Sequence, residues 1–174
     1  MTAPTGFTGT PKAGLRPFLP ADTPILAEIF RAGVLELTGE DYSELQQEAW
    51  AGSADDEEAF GRKLAACLTL VATVDGAPVG FIALEGKETV ALLYVHPAVA
   101  GQGVATLLYN AIEQLAKARG ATRLMVDASD SARDFFERRG FEAQRRNTVV
   151  LGDEWIGNTT MKKDLAGAPQ GMRS

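Results

Sequence analysis

The stretch Leu92–Arg119, LLYVHPAVAGQGVATLLYNAIEQLAKAR, constrains the chain more than any other. Its apolar start reads as a strand, His96-Pro97 breaks it, and Gly101-Gln102-Gly103 forms a loop. Val104, Leu107, Leu108, Ala111, Ile112 and Leu115 then recur at helical spacing, with Asn110, Glu113, Gln114 and Lys117 on the other face. A helix has no internal partners for the N–H groups of its first turn, and its macrodipole makes that end positive. Glycines there permit positive φ and a close approach to a ligand. Strand, loop and helix in this order gather several N–H groups at a point suited to a phosphate or pyrophosphate.

The segments on either side extend the pattern. Leu15–Phe18 reads as a strand, and Thr23-Pro24 starts a helix carrying Ile25, Leu26, Ile29, Phe30 and Leu37. Tyr42–Ala66 reads as a second helical region interrupted around Ala51-Gly52-Ser53, with Asp55–Glu58 as a solvated helix start. Leu68–Asp75 and Pro78–Leu84 are strands joined by a hairpin turn at Asp75-Gly76-Ala77. After a second turn comes the strand Thr89–Val95. Beyond the long helix and Gly120 follow a strand at Arg123–Asp127 and a short helix at Ser131–Arg139. Two final strands, Phe141–Leu151 and Trp155–Lys162, flank a turn at Gly152-Asp153. The order β-α-α-β-β-β-α-β-α-β-β predicts a mixed, mostly antiparallel sheet with helices on both faces. Residues 14–165 read as one domain between short flexible tails at 1–13 and 166–174.

Composition narrows the partners. The 174 residues carry a net charge of −6, which argues against nucleic acid. No apolar run is long enough for a membrane span, and the first residues lack the pattern of a signal peptide. The single Cys67 reads as a small buried hydrophobe suited to a reducing interior, and the single His96 as structural; neither belongs to a metal-ligand cluster. A cytoplasmic, metal-free protein is the expectation.

Three kinds of phosphate loop compete for the glycines. A Walker A loop fails, because Val104-Ala105 stand where Lys-Ser/Thr is required. A dinucleotide fingerprint is met in part by Gly101, Gly103 and Asp127, but Thr106 occupies the third glycine position and His96–Ala100 separate strand from loop. The third is a coenzyme A loop, of pattern Gln/Arg-x-x-Gly-x-Gly/Ala at a helix N-terminus.

Here the chain, from about Leu15 to Leu165, resembles the GNAT superfamily of acetyl-CoA-dependent N-acetyltransferases. Tyr94-Val95-His96-Pro97 with Ala100–Ala105 is similar to the family's strand and pyrophosphate loop. Ser129–Phe136 with Gly140-Phe141 is similar to its second motif, and NTTMKKDL at Asn158–Leu165 to its last strand. The resemblance implies a GNAT-like sheet whose fourth and fifth strands splay around the pantetheine of acetyl-CoA. It implies backbone contacts at Leu93, Tyr94 and Val95, pyrophosphate amides from Gly101, Gln102, Gly103, Val104 and Ala105, and Ser129 near the thiol. Acetyl transfer to a primary amine by direct attack in a ternary complex follows from it, on a small-molecule or peptide acceptor, in a chain that forms a homodimer in many relatives. Two positions depart from the family: Ala100 replaces the usual Gln or Arg, and Phe136 the tyrosine that protonates the leaving thiolate.

For the base, Thr89 and Ala91 stand where a strand glutamate is common, so the candidates are Glu88, one residue earlier, and Asp127 at the end of the fifth strand. Glu88 also reads as a solvated turn residue and Asp127 as a turn or capping acid. Tyr94 is either packed or over the gap. Tyr42 and Trp50 are the acceptor-pocket candidates, or simply cap the core. A non-catalytic acyl-CoA-binding module and an NAD-dependent oxidoreductase remain the alternatives to the acetyltransferase reading.

Overall fold

The computed structural model describes residues 13–165. The tails expected at 1–12 and 166–174 lie outside the described residues, while Ala13, assigned to the first of them by sequence, opens a strand. The strands are β1 (Ala13–Pro17), β2 (Leu68–Val74), β3 (Ala77–Glu85), β4 (Thr89–Val95), β5 (Arg123–Ser129), β6 (Glu142–Leu151) and β7 (Glu154–Asp164). The helices are α1 (Thr23–Leu37), α2 (Glu44–Ala51), α3 (Glu57–Ala66), α4 (Val104–Ala118) and α5 (Arg133–Glu137). The interrupted region between Tyr42 and Ala66 is two helices, α2 and α3, with a turn at Gly52–Ala54 between them.

One seven-stranded sheet runs in the order β1-β2-β3-β4-β5-β7-β6. Every neighbouring pair is antiparallel except β4 and β5. β3 shows why a run such as GFIAL is apolar throughout: Ile82 and Leu84 face α4, while Phe81 and Ala83 face α1 and α3. A strand covered on both sides loses the polar alternation of a half-exposed one. On one face Leu108, Ile112, Leu124, Phe136 and Met161 close the core around α4 and α5. On the other, Leu26, Ile29, Phe30, Val34 and Leu64 close it around α1 and α3.

Two local devices position the rest. α4 stops because the Gly120 N–H bonds to the Lys117 carbonyl and the Ala121 N–H to the Ala116 carbonyl, with Gly120 at φ +88°. At the N-terminal side, Arg16 forms a two-bond ion pair with Asp22, both at 2.8 Å, fixing β1 to the start of α1. The Arg16 guanidinium holds the Asp22 carboxyl below the usual carboxylate range.

The feature that matters most for function is the parallel pair. β4 and β5 are in register only at Thr89↔Met125 and Val90↔Val126, with the Met125 N–H bonded to the Glu88 carbonyl at 2.7 Å. Beyond Val90 and Val126 no pairing between the two strands continues. Ala91 is the fork point on β4: Ala83 pairs with Leu92 and Leu84 with Val90, so Ala91 is an extra residue, a β-bulge.

Candidate active site

Past the bulge, β4 is bonded to β3 along one edge only. The His96 N–H donates to the Val79 carbonyl on β3 at 2.8 Å. Strand alternation therefore directs the N–H groups of Val95 and Leu93 to the other edge, where the sheet is open. Two cavities meet in this opening. The first, ≈ 230 Å³, runs along the C-terminal end of β4 beside Gly33, Leu37, Val95, Ala105, Ser131 and Phe135. The second, ≈ 260 Å³, lies under α2 and the β6–β7 hairpin, beside Tyr42, Leu92, Asp127, Leu151, Ile156 and Asn158. Trp50, Leu93, Tyr94, Ser129, Ala132 and Phe136 border both.

The glycine loop leads from β4 into α4. A short turn at Pro97–Val99 is capped by His96, whose Nδ1 accepts from the Ala98 N–H at 3.0 Å. The lone histidine is thus a structural cap. Gly101 and Gly103 have φ of +78° and +88°, and a Cβ at either would meet nothing within 4 Å. The space over the loop is open. No acceptor among the described residues takes the N–H groups of Gly101, Gly103, Val104, Ala105 or Thr106. The Gln102 N–H is engaged by the Val99 carbonyl and its side chain by the Ala98 carbonyl, so Gln102 shapes the loop while its neighbours supply the free donors. Sequence reasoning missed Arg139. Its guanidinium stacks 3.6 Å from the Phe135 ring centroid and donates to the Thr106 hydroxyl in the first turn of α4. This sets a cation beside those amides. The signal lay in the second motif, but only α5 packing against α4 brings Arg139 there.

Around the second cavity the side chains are held by long-range bonds. The Tyr42 hydroxyl donates to the Gly157 carbonyl at 2.7 Å and accepts from the Asp130 N–H at 2.8 Å. It therefore ties the loop before α2 to β7 and to the loop after β5. Burial pushes its pKa up. Trp50 packs edge-on to Tyr42, with ring centroids 5.3 Å apart. Ser129 sits in the opening and its hydroxyl accepts from the Ala132 N–H, capping the approach to α5. The Tyr94 ring packs against Phe30 and Phe81 and borders both cavities. Desolvation raises the Tyr94 hydroxyl well above an ordinary phenol, with Trp50 partly opposing.

The two carboxylate candidates separate. Glu88 lies at the closed end of the fork, where it pairs with Arg123 at 3.2 Å and does not line either cavity. The bulge needed to turn it inward falls three residues later, at Ala91. Asp127 is the first β5 residue beyond the last paired position, so it sits in the crotch of the fork and lines the second cavity. Its Oδ1 accepts from the Thr160 hydroxyl at 2.6 Å, and that hydroxyl accepts from Asn147 Nδ2 at 2.7 Å. Asp127 Oδ2 has no donor among the described residues. Phe136 is buried in the α4–α5 core, with no hydroxyl to offer the cavity floor. Cys67 is partly buried against the α1–α3 core, remote from both cavities.

A forked β4–β5 pair ahead of a glycine loop and helix defines an acyl-CoA-type transferase fold. A family profile described as Acetyltransferase (GNAT) domain matches residues 38–165. The chain is 34% identical over 148 residues to the uncharacterized N-acetyltransferase YafP of Escherichia coli, covering 85% of this chain and 93% of that one. A crystal structure of a GCN5-related N-acetyltransferase from Rhodopseudomonas palustris is 53% identical, with TM-score 0.86 over 90% of this chain and 97% of that one. The PaiA N-acetyltransferase of Thermoplasma acidophilum, solved with coenzyme A, shares the fold at TM-score 0.73 and 19% identity, over 88% of this chain and 99% of that one. The chain belongs to the GNAT acetyltransferase family.

Proposed function

We propose that the protein transfers acetyl from acetyl-CoA to a primary amine by direct attack, with donor and acceptor bound together. The observation that carries this reading is the fork. It opens a passage between two cavities, one ending at unpaired helix amides and the other at a fixed carboxylate. The free N–H groups of Gly101 and Gly103–Thr106 fit a pyrophosphate, Arg139 adds positive charge beside them, and the open edge at Leu93 and Val95 fits the amides of a pantetheine arm. When bound, acetyl-CoA supplies the acetyl group as an activated thioester.

The chain's own groups then have defined roles. The open β4 N–H groups polarise the thioester carbonyl. Asp127 Oδ2 accepts the proton that an ammonium must lose before its nitrogen can attack. The amine lone pair forms the new C–N bond, the C–S bond breaks, and the sulfur departs as a thiolate that takes up a proton. With Phe136 unable to give one, Tyr94 is the phenol common to both cavities and the side chain that fits the role of proton donor; burial keeps it protonated. Ser129 positions the loop at the reacting end.

The test combines calorimetric titration of coenzyme A with release of free thiol from acetyl-CoA over a panel of amines. Binding together with amine-dependent thiol release is the expected result. Binding without turnover on any amine would instead make the protein a non-catalytic acyl-CoA-binding module.

A further inference from the structure

We infer that the acceptor is an alkyl or aralkyl monoamine: a primary amine with one positive charge on an apolar body. The inference rests on the amine-acetylation reading and adds to it the chemical class of the substrate. The acidic composition of the chain suggests polycations, but the cavity does not. Of the side chains that line it, Asp127 is the one that carries a formal charge; Tyr42 and Tyr94 both have raised pKa values and stay neutral. The walls facing that carboxylate are Trp50, Leu92, Val149, Leu151 and Ile156.

Asp127 is built to hold one ammonium. Asn147 and Thr160 fix its Oδ1, which leaves Oδ2 to the cavity. A second ammonium would find no second carboxylate in the lining. Outside the lining, Asp130 is paired with Arg146 and Asp41 with the Ser131 hydroxyl, while Glu154 stands opposite Leu151 beside the β6–β7 turn. By strand register, the charged groups on the Asp127 face of β6 and β7 are Glu142, Arg145, Glu154, Lys162 and Asp164, and none of them lines the cavity. An amino acid is disfavoured for the opposite reason: its carboxylate would lie near Asp127 with no cation in the lining to receive it. An uncharged apolar body instead gains from covering the aromatic and aliphatic walls.

Two matched pairs of amines test this on the whole protein, with coenzyme A bound for the affinities and acetyl-CoA supplied for the rates. Hexylamine and 1,6-diaminohexane differ by one ammonium, and phenethylamine and phenylalanine by one carboxylate. Calorimetric dissociation constants and acetyl-transfer rates are both read. The expected result is at least tenfold tighter binding and faster acetylation of the monoamine in each pair. D127N should weaken monoamine binding at least tenfold while coenzyme A binds as before, which also shows that the variant folds. Equal or tighter binding of the diamine or the amino acid overturns the inference, as does a free peptide N-terminus outperforming both monoamines. In those cases amine acetylation itself still stands. Absence of acetyl transfer to every amine overturns the proposed function instead, and the matched-pair affinities still decide what the cavity prefers. Should D127N not fold, the wild-type pairs decide alone.

Discussion

The two cavities that meet at the fork are built by opposite means. The one beside α4 is made of backbone: unpaired amides, two left-handed glycines and the open edge of β4. The one beneath α2 is made of side chains from five separate segments, held by Tyr42, Asp127, Thr160 and Asn147. Backbone geometry recognises what all donors of one kind share. Side chains can be exchanged one at a time without disturbing the sheet, so they are where acceptors are told apart.

That contrast can be broken residue by residue. The largest effect is expected from Asp127→Asn, which removes the proposed proton acceptor. Its kcat/KM for amines should fall by about 10²–10⁴, while calorimetry finds coenzyme A affinity within about twofold of wild type. Gly103→Val should do the reverse. A β-branched side chain at φ +88° strains the loop and fills the open space over it, so coenzyme A affinity should drop roughly a hundredfold, about 2.7 kcal/mol. Amine specificity, read as rate ratios at saturating donor, should be unchanged.

Tyr94→Phe lies on the border between the two. It should lower kcat about tenfold with little change in either dissociation constant; an unchanged kcat would mean that the thiolate leaves unaided. Tyr42→Phe deletes the bonds that tie the loop before α2 to β7 and to the loop after β5, and the Gly157 carbonyl loses its donor. Chemical denaturation should show a loss of about 1–3 kcal/mol, and KM for the amine should rise while coenzyme A binding does not.

The smallest effect concerns pH. The Arg146 guanidinium, first by hydrogen bonding, holds the Asp130 carboxyl below its ordinary pKa. A carboxyl lowered in the folded state contributes stability above its unfolded pKa and loses it as pH falls through the folded value. Both partners are partly exposed, so the contribution is small. Acid titration of R146Q should show a slightly flatter loss of stability between pH ~5 and ~2 than wild type, with the amine side of the site affected first, because the Asp130 N–H is bonded to Tyr42.

Much of the glycine-loop geometry was legible in sequence because it is local. Gly101, Gly103 and the first turn of α4 are adjacent in the chain, and free amides follow from any helix start preceded by glycines. Gln102 was included with them by position, and only the turn it closes on Val99 shows its amide to be spent. Arg139 went unseen because 33 residues separate it from Thr106. On the acceptor side, Tyr42 and Trp50 were found by residue type and region, but the reason for Tyr42 lies 115 residues away at Gly157. Glu88 and Asp127 looked alike as single residues near a strand end. What separates them is the two-residue length of the β4–β5 pairing, which leaves one at the closed end and the other at the fork.

The sequence by itself determined the element order, the helices on both faces of the sheet and the glycine loop with its free amides, since periodicity and glycine stereochemistry act over a few residues. Tertiary structure alone decided where the strands part, which carboxylate faces the opening and how many charges the cavity holds. Those depend on register between strands and on bonds across dozens of residues, where a shift of one position would turn Asp127 to the other face of the sheet.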